Sequence, residues 1–203
     1  MFDKLIHHYY RRQLKDKRYE FLYDTHHPDE LVSFDCEATS LTVSEAQIIS
    51  IGAVKIRGNR ILTSETFEIL IKPEVMIQAT NVTIHGLRPK GLSGGVKVDF
   101  AIEQFLQFVG GRPLVGYFLE YDVAMVNKFL KPMLGIKLPQ PKIEVSRLFY
   151  AQETKNKYYD SYVDLTMAGM IKSLGIPDLP RHDALNDAIN VAMMCLALKH
   201  QKV

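Results

Sequence analysis

Two hydrophobic periods follow one another in this chain, and their order restricts its fold more than any other feature. Leu31 to Cys36 is a short, largely apolar run, and Gln47 to Arg57 is a longer one rich in β-branched residues. Ile61 to Ile71 sets Phe67, Ile69 and Ile71 against Glu68 and Leu70. Gly58-Asn59 separates the second run from the third, and Lys72-Pro73 closes the third, so these segments read as three strands of an antiparallel meander. From Val98 the spacing becomes helical, with Phe100, Ala101, Phe105, Leu106 and Val109 recurring up to Gly110-Gly111. A short strand follows over 113–117, then a helix marked by Ala124, Val126, Phe129, Leu130 and Leu134. Ile143 to Val145 supplies a fifth strand, and helices over Val163–Leu174 and Ala184–Leu198 complete the chain. A meander followed by strand-helix units predicts an α/β fold, a mixed five-stranded sheet covered by helices.

Residues 1–28 stand apart. Leu5, Tyr9, Leu14 and Leu22 form a ragged apolar stripe that His27-Pro28-Asp29 closes, so the expected organisation is a helical extension over 1–28 and one domain over 29–203. At 203 residues the chain is long enough to bury a substantial core without disulfides or a structural metal. Arg11, Arg12, Lys15, Lys17 and Arg18 interleave with Tyr9, Tyr10 and Tyr19, a mixture that can hold single-stranded nucleic acid; a solvated helix face is the simpler reading. A homodimer or a protein partner could use the extension, although packing on its own domain is preferred. His7, His8, His26 and His27 lack the spacing of a metal site, and Cys36 and Cys195 read as core thiols. The net charge of +2 argues against a general duplex binder while permitting a local basic path. No run approaches the ~20 apolar residues of a membrane span, and the first residues lack the order of a secretory signal. A cytoplasmic protein with no membrane partner is expected.

Asp35 and Glu37 leave the same side of an extended chain, because residues i and i+2 share a face. Two like charges so close are costly unless a cation lies between them, and hard divalent ions favour oxygen ligands. The alternative is that one carboxylate turns away to cap the next turn. Asp122 opens the helix after the fourth strand, where an aspartate is commonly a cap or a first-turn charge, and Glu120 competes with it. His182 and Asp187 would diverge by about 140° on one continuous helix; they converge only if His182 precedes the helix, as Pro180 favours. Asp183 is the better cap. Phosphodiester cleavage needs such a set, since two cations demand several carboxylates and a histidine can accept a proton near neutral pH.

These segments resemble the proofreading 3′→5′ exonucleases, the family of the epsilon subunit of DNA polymerase III, ribonuclease T and oligoribonuclease, in its histidine-bearing DEDDh branch. Phe34 to Leu41 is similar to the family's first motif, Ile48 to Val54 to its second strand, Ile84-His85-Gly86-Leu87 to its Ile-His-Gly segment, Leu114 to Asp122 to its second motif and His182 to Ala188 to its third. The resemblance implies a ribonuclease H-like fold and two divalent cations, Mg²⁺ or Mn²⁺. Asp35, Glu37, Asp122 and Asp187 would be the metal ligands and His182 the general base. It also implies that Thr39 hydrogen-bonds the terminal nucleotide, Leu41 wedges against a base and His85 lies near the strand. Ala38 and Ser40 replace residues that are often Thr and Gly. Tyr117-Phe118 replaces the usual His-Asn beside the substrate, and Phe118, next to an apolar strand, is expected to fill the core in preference to stacking on a base. The function implied is release of nucleoside 5′-monophosphates from single-stranded 3′ ends, DNA before RNA. The other readings are an RNA-trimming enzyme and a catalytically weak binding module.

Overall fold

The computed structural model describes residues 10–73, 94–155 and 162–200. His7, His8 and the Ile84 to Leu87 segment with His85 lie outside them. Strands β1 (Glu30–Ala38), β2 (Ile48–Arg57) and β3 (Arg60–Leu70) form the antiparallel meander, and β4 (Leu114–Gly116) and β5 (Lys142–Glu144) add in parallel beyond β1. The sheet order is β3-β2-β1-β4-β5. Helices α1 (Val98–Val109), α2 (Leu119–Leu134), α3 (Val145–Thr154), α4 (Met167–Leu174) and α5 (Ala184–His200) cover it. This is the mixed α/β, ribonuclease H-like arrangement expected.

Period-two alternation along β1 decides what each face of the sheet meets. Val32, Phe34 and Cys36 are buried in one core with Phe105 and Leu106 of α1 and Val126 and Leu130 of α2, and the Phe34 and Phe105 rings lie 4.9 Å apart. Ser33, Asp35 and Glu37 take the opposite face. There the Ser33 hydroxyl donates to the Ala188 carbonyl of α5 at 2.7 Å. A second core on this side joins Val54, Ile56 and Val115 of the sheet to Phe149 of α3, Met170 of α4 and Val191 and Cys195 of α5. At the other end of β1 from the carboxylates, Glu30 is bonded by Arg57 at 2.6 Å and Arg112 at 2.5 Å. Burial opposes ionisation of Glu30, but the two guanidiniums outweigh it and hold the carboxyl at about 2.

Part of the N-terminal segment belongs to the first core. Residues 10–13 are helical, a short 3-10 helix spans Lys17–Tyr23, and Leu14, Tyr19, Leu22 and Tyr23 are buried. Asp24 presses its backbone against Gly111, where any Cβ would overlap it.

Two helical expectations need correction. The helix expected from Val163 begins at Met167: Asp164 accepts from the Thr166 amide at 3.0 Å and its hydroxyl at 2.8 Å, and the same hydroxyl oxygen caps the Gly169 amide at 3.1 Å. That local turn leaves 162–166 outside the helix. Helix α3 was not anticipated. Glu144 ends β5 and caps it directly through the Ser146 amide at 3.2 Å, so no loop marks the change.

Candidate metal centre

Carboxylate convergence begins with a glycine. Asp35 pairs with Gly52 across β1 and β2, and a Cβ on Gly52 would overlap the backbone of Ala184 and Leu185. The first turn of α5 therefore sits on the sheet beside Asp35, as close as a residue without a side chain permits. Asp183 caps this turn by accepting from the Asn186 amide at 2.9 Å, as expected. Asp187, one position further, points down to the strand. One ligand oxygen from each of Asp35, Glu37 and Asp187 falls within 4.8 Å of the other two. Neither acid of the Asp35-x-Glu37 pair turns away.

His182 precedes α5, as Pro180 led us to expect. It adopts a left-handed backbone, φ 63°, that aims its amide at Asp187 Oδ2, 3.0 Å away, and its side chain lines the cleft over the carboxylates. Asn190, fully buried, holds the preceding loop by accepting from the Leu179 amide at 3.1 Å and donating to its carbonyl at 3.3 Å.

Asp122 is not the cap, which is Phe118, but it is a first-turn acid as expected. It is buried in the first turn of α2, and its Oδ1 accepts from the Cys36 amide at 3.0 Å, between the two acids of β1. It lines the same cleft without joining the tight trio. Glu120 points to solvent and meets Arg147 at 3.3 Å. Burial drives the carboxyls of Asp35 and Asp122 well above the usual range. Asp122, Glu37 and Asp187 push Asp35 further, while the Cys36 amide partly offsets the rise at Asp122. Asp187 is also raised, by burial first, against the lowering effect of the His182 amide.

Such an arrangement fits a divalent cation. The trio offers hard oxygen donors only, its charges repel when ionised, and among the described residues no hydrogen bond reaches the buried Asp187 Oδ1. A cation there satisfies all three conditions.

A cleft of about 640 Å³ opens above these acids, bordered by Leu41, Tyr117, Phe118, Tyr121, Arg181 and His182. Leu41 is 88% exposed at its rim. Thr39 secures the loop behind it, accepting from the Gln47 amide through its hydroxyl oxygen at 3.0 Å and donating its own amide to the Gln47 carbonyl at 3.0 Å. Lys128 reinforces the loop through the carbonyls of Val43 at 2.8 Å and Ala46 at 2.7 Å, and the Tyr121 hydroxyl donates to the Ser40 carbonyl. Phe118 requires a correction. It is not core: with φ 52° and ψ 33° its backbone is left-handed and the residue is 68% exposed. Tyr121, Met167 and Arg181 border the cleft and were not anticipated as site residues. Arg181 had a signal in its position beside His182; Met167 had none in spacing.

Residues 32–194 match the sequence model of the exonuclease family, RNase T. The chain belongs to this exonuclease family. The exonuclease domain is 27% identical over 157 residues to the DNA polymerase III epsilon subunit of Aquifex aeolicus strain VF5, covering 77% of this chain and 74% of that protein. It is 30% identical over 163 residues to the PolC-type DNA polymerase III of Clostridium perfringens, covering 79% of this chain but only 10% of that much longer protein. Among solved structures, cell-death related nuclease 4 superposes with a TM-score of 0.71 at 18% identity, covering 85% of this chain and 64% of that one. Exonuclease I of E. coli in complex with a dA16 oligonucleotide gives 0.73 at 14% identity, covering 86% and 41%. The trio of acids, the fourth aspartate and the histidine are the features of the DEDDh type of phosphodiester-hydrolysing exonuclease.

Proposed function

We propose that this domain is a two-metal-ion 3′→5′ exonuclease that shortens single-stranded nucleic acid from its 3′ end, DNA by preference, and releases nucleoside 5′-monophosphates. The observation that carries the reading is the convergence of Asp35, Glu37 and Asp187 within 4.8 Å, beneath a cleft bordered by His182. Asp35, Glu37 and Asp187 would hold one cation, Mg²⁺ or Mn²⁺, and Asp35 with Asp122 a second. Bound there, such ions neutralise charge on the scissile phosphate and lower the pKa of water. His182 would take the proton from the attacking water; its backbone amide is held by Asp187 and the residue borders the cleft. Leu41 meets the base of the last nucleotide, with the Thr39 loop fixing its position. A preference for DNA is supported by the polymerase III relatives and by exonuclease I, whose solved complexes contain DNA oligonucleotides.

A direct test offers a 3′-overhang DNA, a blunt duplex and an RNA of matched sequence to the protein with Mg²⁺ or Mn²⁺. Stepwise 3′ shortening of the overhang is expected, fastest on DNA and abolished by chelation. Asp35→Ala should lose activity, and His182→Ala should fall by about 10²-fold or more. Full turnover in Asp35→Ala would reject the mechanism, faster trimming of the RNA would replace DNA as substrate, and cutting of a circular strand would make it an endonuclease.

A further inference from the structure

Among the described residues only Phe118 and His182 combine a side chain with positive φ, and both border the cleft. The left-handed region disfavours a bulky residue, and such outliers concentrate where a side chain must be presented in one place. A turn needing only that conformation would be served by glycine. Here it rotates an aromatic ring out of the protein: Leu119, the next residue, is 2% exposed and Phe118 is 68% exposed. The ring rests against that of Tyr117, with centroids 4.5 Å apart and planes inclined by 54°. Tyr117 is itself anchored, its hydroxyl donating to the Leu165 carbonyl at 3.1 Å. The result is a firm apolar wall beside the acids, with exposed Leu41 entering the cleft from a separate loop.

We infer that the Tyr117–Phe118 pair is a stacking platform for an unpaired base at the 3′ end of the substrate strand. The inference deepens the exonuclease reading and rests on it. A base can lie on an aromatic ring only when its own face is uncovered, so the platform selects frayed or single-stranded ends over paired ones. Phe118 has no polar atom with which to read a sugar. At this contact the enzyme is therefore indifferent to the 2′-hydroxyl, and any preference between DNA and RNA comes from elsewhere in the cleft.

Binding of 5′-labelled oligonucleotides with free 3′ ends, measured by anisotropy in chelator, isolates this contact from cleavage. Phe118→Ala retains a side chain and hence the left-handed strain, but removes the ring. It should weaken binding of a single strand by about tenfold or more, by the same factor for deoxyribo- and ribo-oligonucleotides, and Phe118→Trp should restore it. With Mg²⁺ present, Phe118→Ala should raise KM more than it lowers kcat. The decisive substrate lacks the bases of its last two nucleotides: wild type and Phe118→Ala should bind it equally. A loss that persists on this abasic strand, or no loss on the normal strand, would overturn the platform. A loss confined to one sugar type would overturn its indifference to sugar. Absence of any cleavage by wild type would instead remove the exonuclease reading, while the binding comparison would still decide the stacking.

Discussion

Ionising Asp122 weakens the metal-free protein that holds it. Burial and the nearby Glu37, Glu144 and Asp35 oppose its ionised form, which the backbone amides of Cys36 and of Asp122 itself favour. Its folded pKa lies above the unfolded value near 3.9. The folded, metal-free protein thus binds more protons than the unfolded chain between those two values, and its stability falls as pH rises through that window. Asp122→Asn keeps an oxygen acceptor for the Cys36 amide and removes the charge. In chelator at neutral pH the variant should be more stable than wild type, and the gap should widen in thermal melts as pH rises above the unfolded aspartate pKa near 3.9. A gap that stays constant with pH would show that the repulsion is not what Asp122 contributes. The type of each acid was legible in the sequence because strand alternation placed Asp35 and Glu37 together and Pro180 kept His182 off the helix. Asp122 was not separable from a helix cap by spacing, since the distinction depends on which way one side chain turns. Phe118 was misread because its proximity to an apolar strand said nothing of the left-handed backbone that ejects its ring.

At the scale of elements, the centre exists because α5 descends onto β2 at one residue. Gly52→Ala adds a single carbon where Ala184 and Leu185 leave no room. The helix must lift, and overpacking of this kind costs about 1–3 kcal/mol. Because Asp187 rides on the same turn, activity should fall by more than the stability loss alone explains, and single-strand affinity in chelator should change little. Wild-type turnover from Gly52→Ala would mean that the seat of α5 is not what positions Asp187. The strands and most helices could be read in advance because short turns, glycine pairs and periodic apolar residues mark them. Helix α3 could not: it follows β5 with no intervening loop and presents only Val145 and Phe149 as buried residues. The late start of α4 came from a side-chain turn at Asp164 and Thr166 that competes with the helix over the same backbone amides. Gly52 gave no local sign, because its role depends on a helix more than 130 positions away.

For the whole molecule, the order β3-β2-β1-β4-β5 places β1 at the centre, with acids contributed to its end by α2 from one side and α5 from the other. Each core holds one of these helices in place. The tertiary structure thus concentrates negative charge at a single point, and the central claim is that a divalent cation resolves it. The most direct measurement is titration of the metal-free protein with Mn²⁺, followed by calorimetry and by the paramagnetic signal of the free ion. Wild type should take up Mn²⁺ and gain thermal stability in proportion to saturation. Loss of groups that merely orient ligands weakens metal sites 10–100-fold, so Asp187→Asn should weaken uptake by at least about tenfold. Equal Mn²⁺ affinity in Asp187→Asn, or no uptake by wild type, would contradict the account.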